Sequence, residues 1–323
     1  MLAPTINLLR HPGWGRAQET YSEDTYHMGT MAVAFVSGVQ NHVLSSPKHF
    51  ALNNLENTRF TLSANIDERS LNEVYLPHFK RCVVEAAAAS VMSAYNKVNG
   101  VYCGEHRHLL TDILRRDWGF RGFVESDWIL GTRSTADALK NGLDIEMPAP
   151  YRFSNDNLHA ALEDGSLNQA DIDRAASNAL YQKVAWQLDS ESAVDPAVVE
   201  CAEHIALARE AAEKSFVLLK NKNALLPLQD SAQLKLAVVG DLATVANLGD
   251  RGSSMVESSE VTTPLTGIQT LATQSNVEYF PSDADFDGLV EFDLCIVVTG
   301  LTYKEEGEFI PTCLLYTSDA ADE

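Results

Sequence analysis

The feature that most constrains the fold is an alternation of short apolar strands with amphipathic helices over residues 1–148. Such alternation is typical of βαβ units around a parallel sheet. Strand candidates are Ala89–Tyr95, Gly122–Ser126 and Asp144–Met147, and helix candidates are Tyr26–Gln40, Asp67–Ala87, His108–Arg116 and Ser134–Asn141. These are too few strands for a closed eight-stranded barrel. The pattern therefore predicts an α/β fold that begins with a (β/α)8-type barrel lacking its first strand or strands.

The remainder of the chain divides into three further parts. Residues 149–228 carry helical spacing followed by a polar linker and a second helix, and residues 229–312 predict a truncated α/β sandwich domain. Its strands are expected at Leu236–Gly240 and Phe292–Thr299, and no G-x-G-x-x-G follows the first to indicate a dinucleotide site. Residues 313–323 continue no element and resemble translated sequencing-adaptor sequence, so we predict that this tail is not native.

Composition excludes several classes of partner. The 24 basic and 45 acidic residues give a net charge of −21, which disfavours nucleic acid and anionic membranes. No run approaches the roughly 18 apolar residues of a membrane span. The five cysteines are odd in number and form no C-x-x-C pair, which argues against a disulfide framework or a zinc site. No metal or other cofactor is expected, and the compartment stays open between cytoplasmic and periplasmic or secreted.

The segment Gly119–Trp128 carries the strongest chemical signal. It predicts a tight turn, a short apolar strand and then Asp127 beside Trp128. A carboxylate at the C-terminal end of a buried strand lies on the catalytic rim of a β/α barrel. A neighbouring indole offers a flat apolar face on which a sugar ring can stack. The pair indicates a carbohydrate enzyme with a carboxylate nucleophile.

Other polar or pocket-forming residues also fall at predicted strand ends or in the loops that follow them. Each has a plainer explanation when taken alone, such as a surface ion pair, a core histidine or simple packing. Together they supply the charged donors and the aromatic wall of a sugar pocket. They are Arg16, Lys48, His49, Arg59, Met92 and Tyr95. A rival hypothesis is a barrel lyase or aldolase with Lys48 as a Schiff-base amine, but the sequence offers no clear arginine-rich phosphate site to support it.

The order of motifs resembles glycoside hydrolase family three, of the β-glucosidase type. The resemblance covers nearly all of residues 1–312. The matching stretches are His11–Arg16, Lys48–Asn53, Glu68–Leu71, Val91–Asn99, Trp118–Trp128, Gly142–Pro148, Leu218–Asn221 and Leu226–Leu228.

The resemblance implies roles for these residues. Asp127 would be the nucleophile, Arg16, Lys48, His49, Arg59 and Tyr95 would hold the sugar hydroxyls, and Met92 and Trp128 would line the subsite. The acid/base would come from the loop after Thr299, where an acid followed by glycine points to Glu306, with Glu305 and Glu308 left open. The family's acidic residue for the far hydroxyls would lie upstream of residue 1. We further expect basic neighbours to lower the pKa of Asp127, and the acidic cluster to raise that of the acid/base.

The implied activity is retaining, exo-acting hydrolysis of terminal β-linked sugars through a covalent glycosyl-enzyme, with a β-glucosidase as the leading interpretation. The alternatives are a β-xylosidase or arabinosidase of the same family, or an inactive carbohydrate-binding fragment. The implied partner is a β-linked oligosaccharide or glycoside, with a homodimer as one possible assembly.

Overall fold

The computed structural model describes residues 1–11, 13–186, 195–229, 233–249, 251–305 and 307–308. These residues form two compact units. The first contains the described residues within 1–189, 248–256 and 301–323, and the second contains those within 190–247 and 257–300. The chain thus returns to the first unit twice after leaving it.

The first unit is built on a run of parallel strand segments taken in chain order. Single bridges join Thr5 to Lys48, Phe50 to Ser93 and Glu125 to Ile145, and all three are parallel. Between them, the strands Ser90–Met92 and Phe123–Glu125 pair in parallel over three residues each. Five successive segments near residues 5, 48, 91, 124 and 145 therefore lie side by side, as neighbouring strands of a β/α barrel do.

Helices connect these segments on the outer face. In chain order the regular elements of the unit are α1 (Thr25–Val39), β1 (Ser63–Ala64), α2 (Glu68–Ser70), α3 (Pro77–Val84), β2 (Ser90–Met92), β3 (Lys97–Val98), β4 (Val101–Tyr102), β5 (Phe123–Glu125), α4 (Ala136–Asn141), α5 (Asn155–Glu163) and α6 (Gln169–Ala185). Wider π-helical turns cover Leu71–Tyr75 and His108–Asp117. Short 3-10 turns cover Ala17–Glu19 and Cys103–Glu105. β1, β3 and β4 form a small separate sheet.

Helix α1 shows why these segments fold as they do. Asp24 caps its first turn by accepting a hydrogen bond from the backbone N–H of His27 at 2.6 Å. Met28, Ala32 and Val36 recur every four residues and are fully buried, so one stripe of the helix packs on the core.

The core between helices and strands is apolar and aromatic. The ring of Phe50 packs edge-on against Phe79 and Trp118, with centroids 5.2 and 5.8 Å apart. This contact joins a strand segment to α3 and to the turn that precedes β5.

The second unit is a three-stranded parallel sheet. Its helices and strands are α7 (Ala202–Ser215), β6 (Lys235–Val239), α8 (Pro264–Leu271), β7 (Asn276–Phe280) and β8 (Leu294–Val297). Short 3-10 turns cover Pro196–Val198, Lys222–Ala224, Asp241–Ala243 and Asp287–Glu291. β6 is the central strand, with β7 and β8 on either side.

The predicted α/β class, with a barrel-type unit followed by an α/β sheet unit, is confirmed. The strands are shorter than predicted, and Asp144–Met147 contributes a single bridge rather than a regular strand. The domain boundaries at residues 148 and 228 stay predictions, and residues 313–323 lie outside the described part of the chain. Within the described residues, no helix is long and apolar enough to cross a membrane.

Candidate active site

A cavity of about 690 Å³ opens at the carboxyl ends of the parallel segments. Eight residues singled out from the sequence line it, whereas Glu306 lies outside the described residues. The eight are Arg16, Lys48, His49, Arg59, Met92, Tyr95, Asp127 and Trp128. The fold therefore brings together side chains that are up to 112 positions apart in the chain (128 − 16). Their individual roles stay predictions.

Asp127 lies two residues beyond the end of β5 and is almost fully buried. Its Oδ1 accepts a hydrogen bond from the backbone N–H of Trp128 at 2.8 Å, whereas its buried Oδ2 has no hydrogen-bond partner among the described residues. The Tyr95 hydroxyl donates to the Trp128 carbonyl at 2.9 Å, which fixes the turn beside the carboxylate. Asp127 thus has one oxygen anchored and the other uncommitted.

The pKa of Asp127 is raised, which differs from our expectation. Burial raises it, because desolvation disfavours the charged form, while the Trp128 N–H and the charges of Arg16 and Arg59 oppose the rise. The two arginines act in the predicted direction, but desolvation is the larger effect.

His49 is neutral in this site. Burial and the charges of Arg16, Lys48 and Arg59 hold its pKa well below the ordinary value. Arg16 Nη1 lies 3.0 Å from His49 Nε2, and Asn7 Oδ1 lies 3.3 Å from His49 Nδ1, which assigns the proton to Nδ1. The 3.6 Å approach of Nε2 to Asp127 Oδ2 is therefore not an ion pair.

Each of the two buried arginines is held by a carboxylate three residues away. Glu19 accepts from Arg16 Nε and Nη2, both at 2.8 Å, and Glu56 accepts from Arg59 Nη1 at 2.6 Å. Burial is the largest single effect and lowers the pKa of Arg16, but the hydrogen bonds to Glu19 and the charges of Glu19, Glu308 and Glu56 together raise it. Both cations are thus fixed at the wall of the cavity.

Glu308 is a third carboxylate that lines the cavity. It accepts from the backbone N–H of Ser253 at 2.5 Å and from Arg59 Nη1 at 3.1 Å, and lies 3.5 Å from Arg16 Nη1. Burial alone would raise the pKa of Glu308, but the charge of Arg16 and the Ser253 hydrogen bonds lower it.

The remaining candidate acids differ in their surroundings. Glu305 accepts hydrogen bonds from Thr302 that lower its pKa, and it does not line the cavity. The expectation of a raised pKa is therefore wrong for Glu305 and Glu308. Glu306 lies outside the described residues, so the structure does not describe its surroundings.

Three further predicted residues complete the wall. Met92 ends β2, Tyr95 lies in the loop after it, and Trp128 is 38% exposed, which leaves its indole accessible to a ligand. Lys48 also lines the cavity, and burial lowers its pKa while the charges of Glu19, Asp127 and Glu308 raise it.

The sequence did not single out Ser253, Phe60 or Glu56 as parts of this site. Glu56 carries a weak signal, because it precedes Arg59 by the same three residues that separate Arg16 from Glu19. Ser253 carries none, since only the return of the chain to the first unit brings it to the cavity. No group of metal-ligating side chains occurs in the part of the chain that the structure describes.

Sequence models of two domains match the chain. The glycosyl hydrolase family 3 N-terminal domain matches residues 1–181, and the family 3 C-terminal domain matches residues 216–321. The chain belongs to glycosyl hydrolase family 3. The predicted resemblance is confirmed, and both halves of the family's architecture are represented.

Two relatives of this family 3 chain carry different names. A β-glucosidase of Rhizobium radiobacter is 39% identical over 279 residues, covering 85% of this chain and 34% of the relative. An exo-α-(1→6)-L-arabinopyranosidase of Bifidobacterium breve is 36% identical over 270 residues, covering 81% and 35%. This chain therefore spans about a third of the length of the relatives it matches.

Solved structures of the family agree with the fold. A β-glucosidase of Bifidobacterium adolescentis superposes with a TM-score of 0.83 at 33% identity, covering 95% of this chain and 46% of that one. A β-glucosidase of Kluyveromyces marxianus in complex with glucose gives 0.79 at 35% identity, covering 86% and 34%.

Proposed function

We propose that this protein is a retaining, exo-acting β-glucosidase. The observation that carries the proposal is the uncommitted Oδ2 of Asp127 in a cavity with three basic side chains and an accessible indole. Relatives named β-glucosidase, one of them solved with glucose, support the choice of sugar.

In the proposed mechanism, Asp127 Oδ2 attacks the anomeric carbon as the leaving oxygen takes a proton from an acid. Water, activated by the same residue acting as base, then releases the sugar with its anomeric configuration retained. The charges of Arg16 and Arg59 oppose the effect of burial on Asp127 and so favour its ionised form. The imidazole of His49 is neutral, so it does not compete as a cation for Asp127.

Glu306 is the proposed acid/base, and Glu308 is the alternative. The position of Glu308 on the cavity wall favours it as the acid/base. However, Arg16 and Arg59 hold Glu308 in the charged form, which suits an acceptor of hydroxyl hydrogen bonds better than a proton donor. The acid/base should stand about 5–5.5 Å from Asp127 in a retaining enzyme.

Azide rescue tests these assignments. Glu306→Gln should spare the first step with an activated aryl leaving group, and added azide should restore turnover as a β-glycosyl azide. Glu305→Gln is the matched control and should behave as wild type. Rescue in Glu308→Gln but not in Glu306→Gln would move the acid/base by two residues.

A second candidate is an exo-α-L-arabinopyranosidase, which the Bifidobacterium breve relative favours. Nitrophenyl β-glucoside, β-xyloside and α-L-arabinopyranoside, compared by kcat/KM, separate the candidates. A 2-deoxy-2-fluoroglucoside with an activated leaving group should label Asp127, which peptide mass spectrometry detects. Absence of turnover on every substrate, with no label, would contradict a glycosidase.

A further inference from the structure

Two carboxylates hold the guanidinium of Arg59. Its Nη1 donates to Glu56 Oε2 at 2.6 Å and to Glu308 Oε1 at 3.1 Å. Glu56 is fixed in turn, because Trp14 Nε1 donates to its Oε1 at 3.1 Å. Trp14, Glu56 and Arg59 are all buried, so this chain of contacts is shielded from water.

The backbone and two rings complete the restraint. The Arg59 N–H donates to the Glu56 carbonyl at 3.3 Å, which places the two side chains on one side of a turn. The guanidinium lies over the rings of Tyr95 and Phe60, at 4.9 and 5.0 Å from their centroids. Arg59 Nε and Nη2 make no hydrogen bond to the residues that the structure describes. These donors remain for a ligand in the cavity that Arg59 lines.

We propose that Glu56 is a positioning residue that fixes the Arg59 guanidinium so that its uncommitted N–H groups meet one particular sugar hydroxyl. The proposal rests on the proposed function, because it requires that the cavity hold a sugar. Glu56 does not line the cavity and acts only through Arg59. A guanidinium donates in a fixed planar fork, so its orientation decides which hydroxyl it can bind.

Glu308 alone cannot replace this restraint. It bonds the same nitrogen, Nη1, and is shared with Arg16 and Ser253. Without the Glu56 carboxylate, Glu308 is the remaining carboxylate on Arg59 Nη1, and the guanidinium can pivot around that one contact. The N–H groups at Nε and Nη2 then no longer point in a fixed direction. The loss should therefore appear as lost discrimination between sugars, not as a uniform loss of binding.

The test is calorimetric binding of glucose and of its 2-, 3-, 4- and 6-deoxy derivatives at pH 8. That pH is above the pKa of Glu56, which burial raises to about 7. Arg59→Lys identifies the hydroxyl that Arg59 binds. It is the hydroxyl whose removal from glucose weakens binding to the wild type but not to this variant. Glu56→Gln should weaken glucose binding roughly ten- to a hundredfold and lose discrimination at that same hydroxyl. The double variant should bind no more weakly than Arg59→Lys alone.

The matched control is Glu73→Gln, which removes a carboxylate from the exposed Arg69–Glu73 pair and should leave all five affinities unchanged. If Glu56→Gln does not fold, Glu56→Asp keeps the charge but retracts it by one methylene and should lose the same discrimination in part. A uniform loss across the five sugars, or additive effects in the double variant, would overturn the proposal. If the wild type binds glucose but hydrolyses no β-glucoside, the β-glucosidase assignment alone is refuted. If the wild type does not bind glucose, both that assignment and the positioning role of Glu56 are refuted.

Discussion

At the residue scale, Asp127 is subject to two opposing effects. Desolvation raises its pKa, and the positive charges of Arg16 and Arg59 lower it. In the proposed mechanism Asp127 must be ionised to attack, so the charges of the two arginines would favour its reactive form. This balance predicts how activity depends on pH.

Replacing Arg16 by Met should move the acid limb of the kcat/KM profile to higher pH. Under the proposed mechanism, wild-type activity should fall as pH drops through the pKa of Asp127, which lies above the ordinary aspartate value of 3.8. Removing the Arg16 charge removes a lowering effect, so protonation begins at higher pH. Arg69→Met, at an exposed pair, is the control. An acid limb that stays at the same pH, or moves to lower pH, would contradict an effect of the Arg16 charge on the pKa of Asp127.

Asp127→Asn should lower turnover by roughly a thousandfold or more for every leaving group, because the nucleophile serves them all. The amide is close in size to the carboxylate, so thermal unfolding should change little. Hydrolysis of a nitrophenyl and of a dinitrophenyl glucoside measures the effect. Asp117→Asn on the surface controls for the substitution itself, and retained activity on either substrate in Asp127→Asn would remove Asp127 from the mechanism.

At the element scale, the turn after β5 sets the position of Asp127. Gly131 packs directly on the Asp127 backbone, and a Cβ on Gly131 would lie 2.7 Å from the Asp127 nitrogen and 2.9 Å from its carbonyl carbon. Such contacts are too short for a methyl group, so either the turn or Asp127 must shift. The glycine is required by close approach and not by its own dihedral angles.

Gly131→Ala should therefore lower kcat more than it lowers stability. A shift of about 1 Å at a reacting group can cost roughly a hundredfold in rate. Gly38→Ala is the matched control, since a Cβ there meets nothing within 4 Å on the exposed face of α1. That change should leave kcat unchanged and stabilise the helix by about 1 kcal/mol. Equal kinetics in the two variants would show that the turn has room to adapt.

At the scale of the whole molecule, six buried carboxyl groups with a shifted pKa divide into two sets. Burial raises the pKa of Glu56, Glu125 and Asp144 as well as that of Asp127, whereas basic or hydroxyl neighbours lower the pKa of Glu19 and Glu308. Glu125 belongs to the first set, and its Oε1 has no hydrogen bond among the described residues. The two sets make opposite contributions to the pH dependence of folding.

Glu125→Gln should flatten the decline of stability with rising pH. A carboxyl with a raised folded-state pKa binds a proton more tightly when folded, so its stabilising contribution is full below the unfolded value of about 4.5 and is lost as pH rises through the folded pKa. Urea unfolding of the first unit at pH 5 and pH 8 measures the difference. Between pH 5 and pH 8 the variant should lose less stability than the wild type. An equal or larger loss in the variant would contradict a raised folded-state pKa for Glu125.

The sequence alone identified much of the local organisation. Helix α1 and the strands β2, β5 and β6 were visible because their apolar spacing is a property of neighbouring residues. The cavity residues could be grouped because the carboxyl ends of parallel strands meet at one edge of a barrel. Strand β7 was missed, although Asn276–Phe280 alternates in the period of two that a half-buried strand shows. The segments near Thr5 and Lys48 each pair through a single bridge, which leaves little periodicity to detect.

Only the tertiary structure decided the electrostatics and the far side of the cavity. Ser253 bonds Arg16 and Glu308 bonds Arg59. Each partner is more than 190 positions from its arginine in the chain, so no local sequence pattern predicts these contacts. The raised pKa of Asp127 likewise depends on how completely the folded chain removes water from it. Residue types and spacing determine which groups are available, but desolvation and distance between non-local groups determine their charge, and both exist only once the chain has folded.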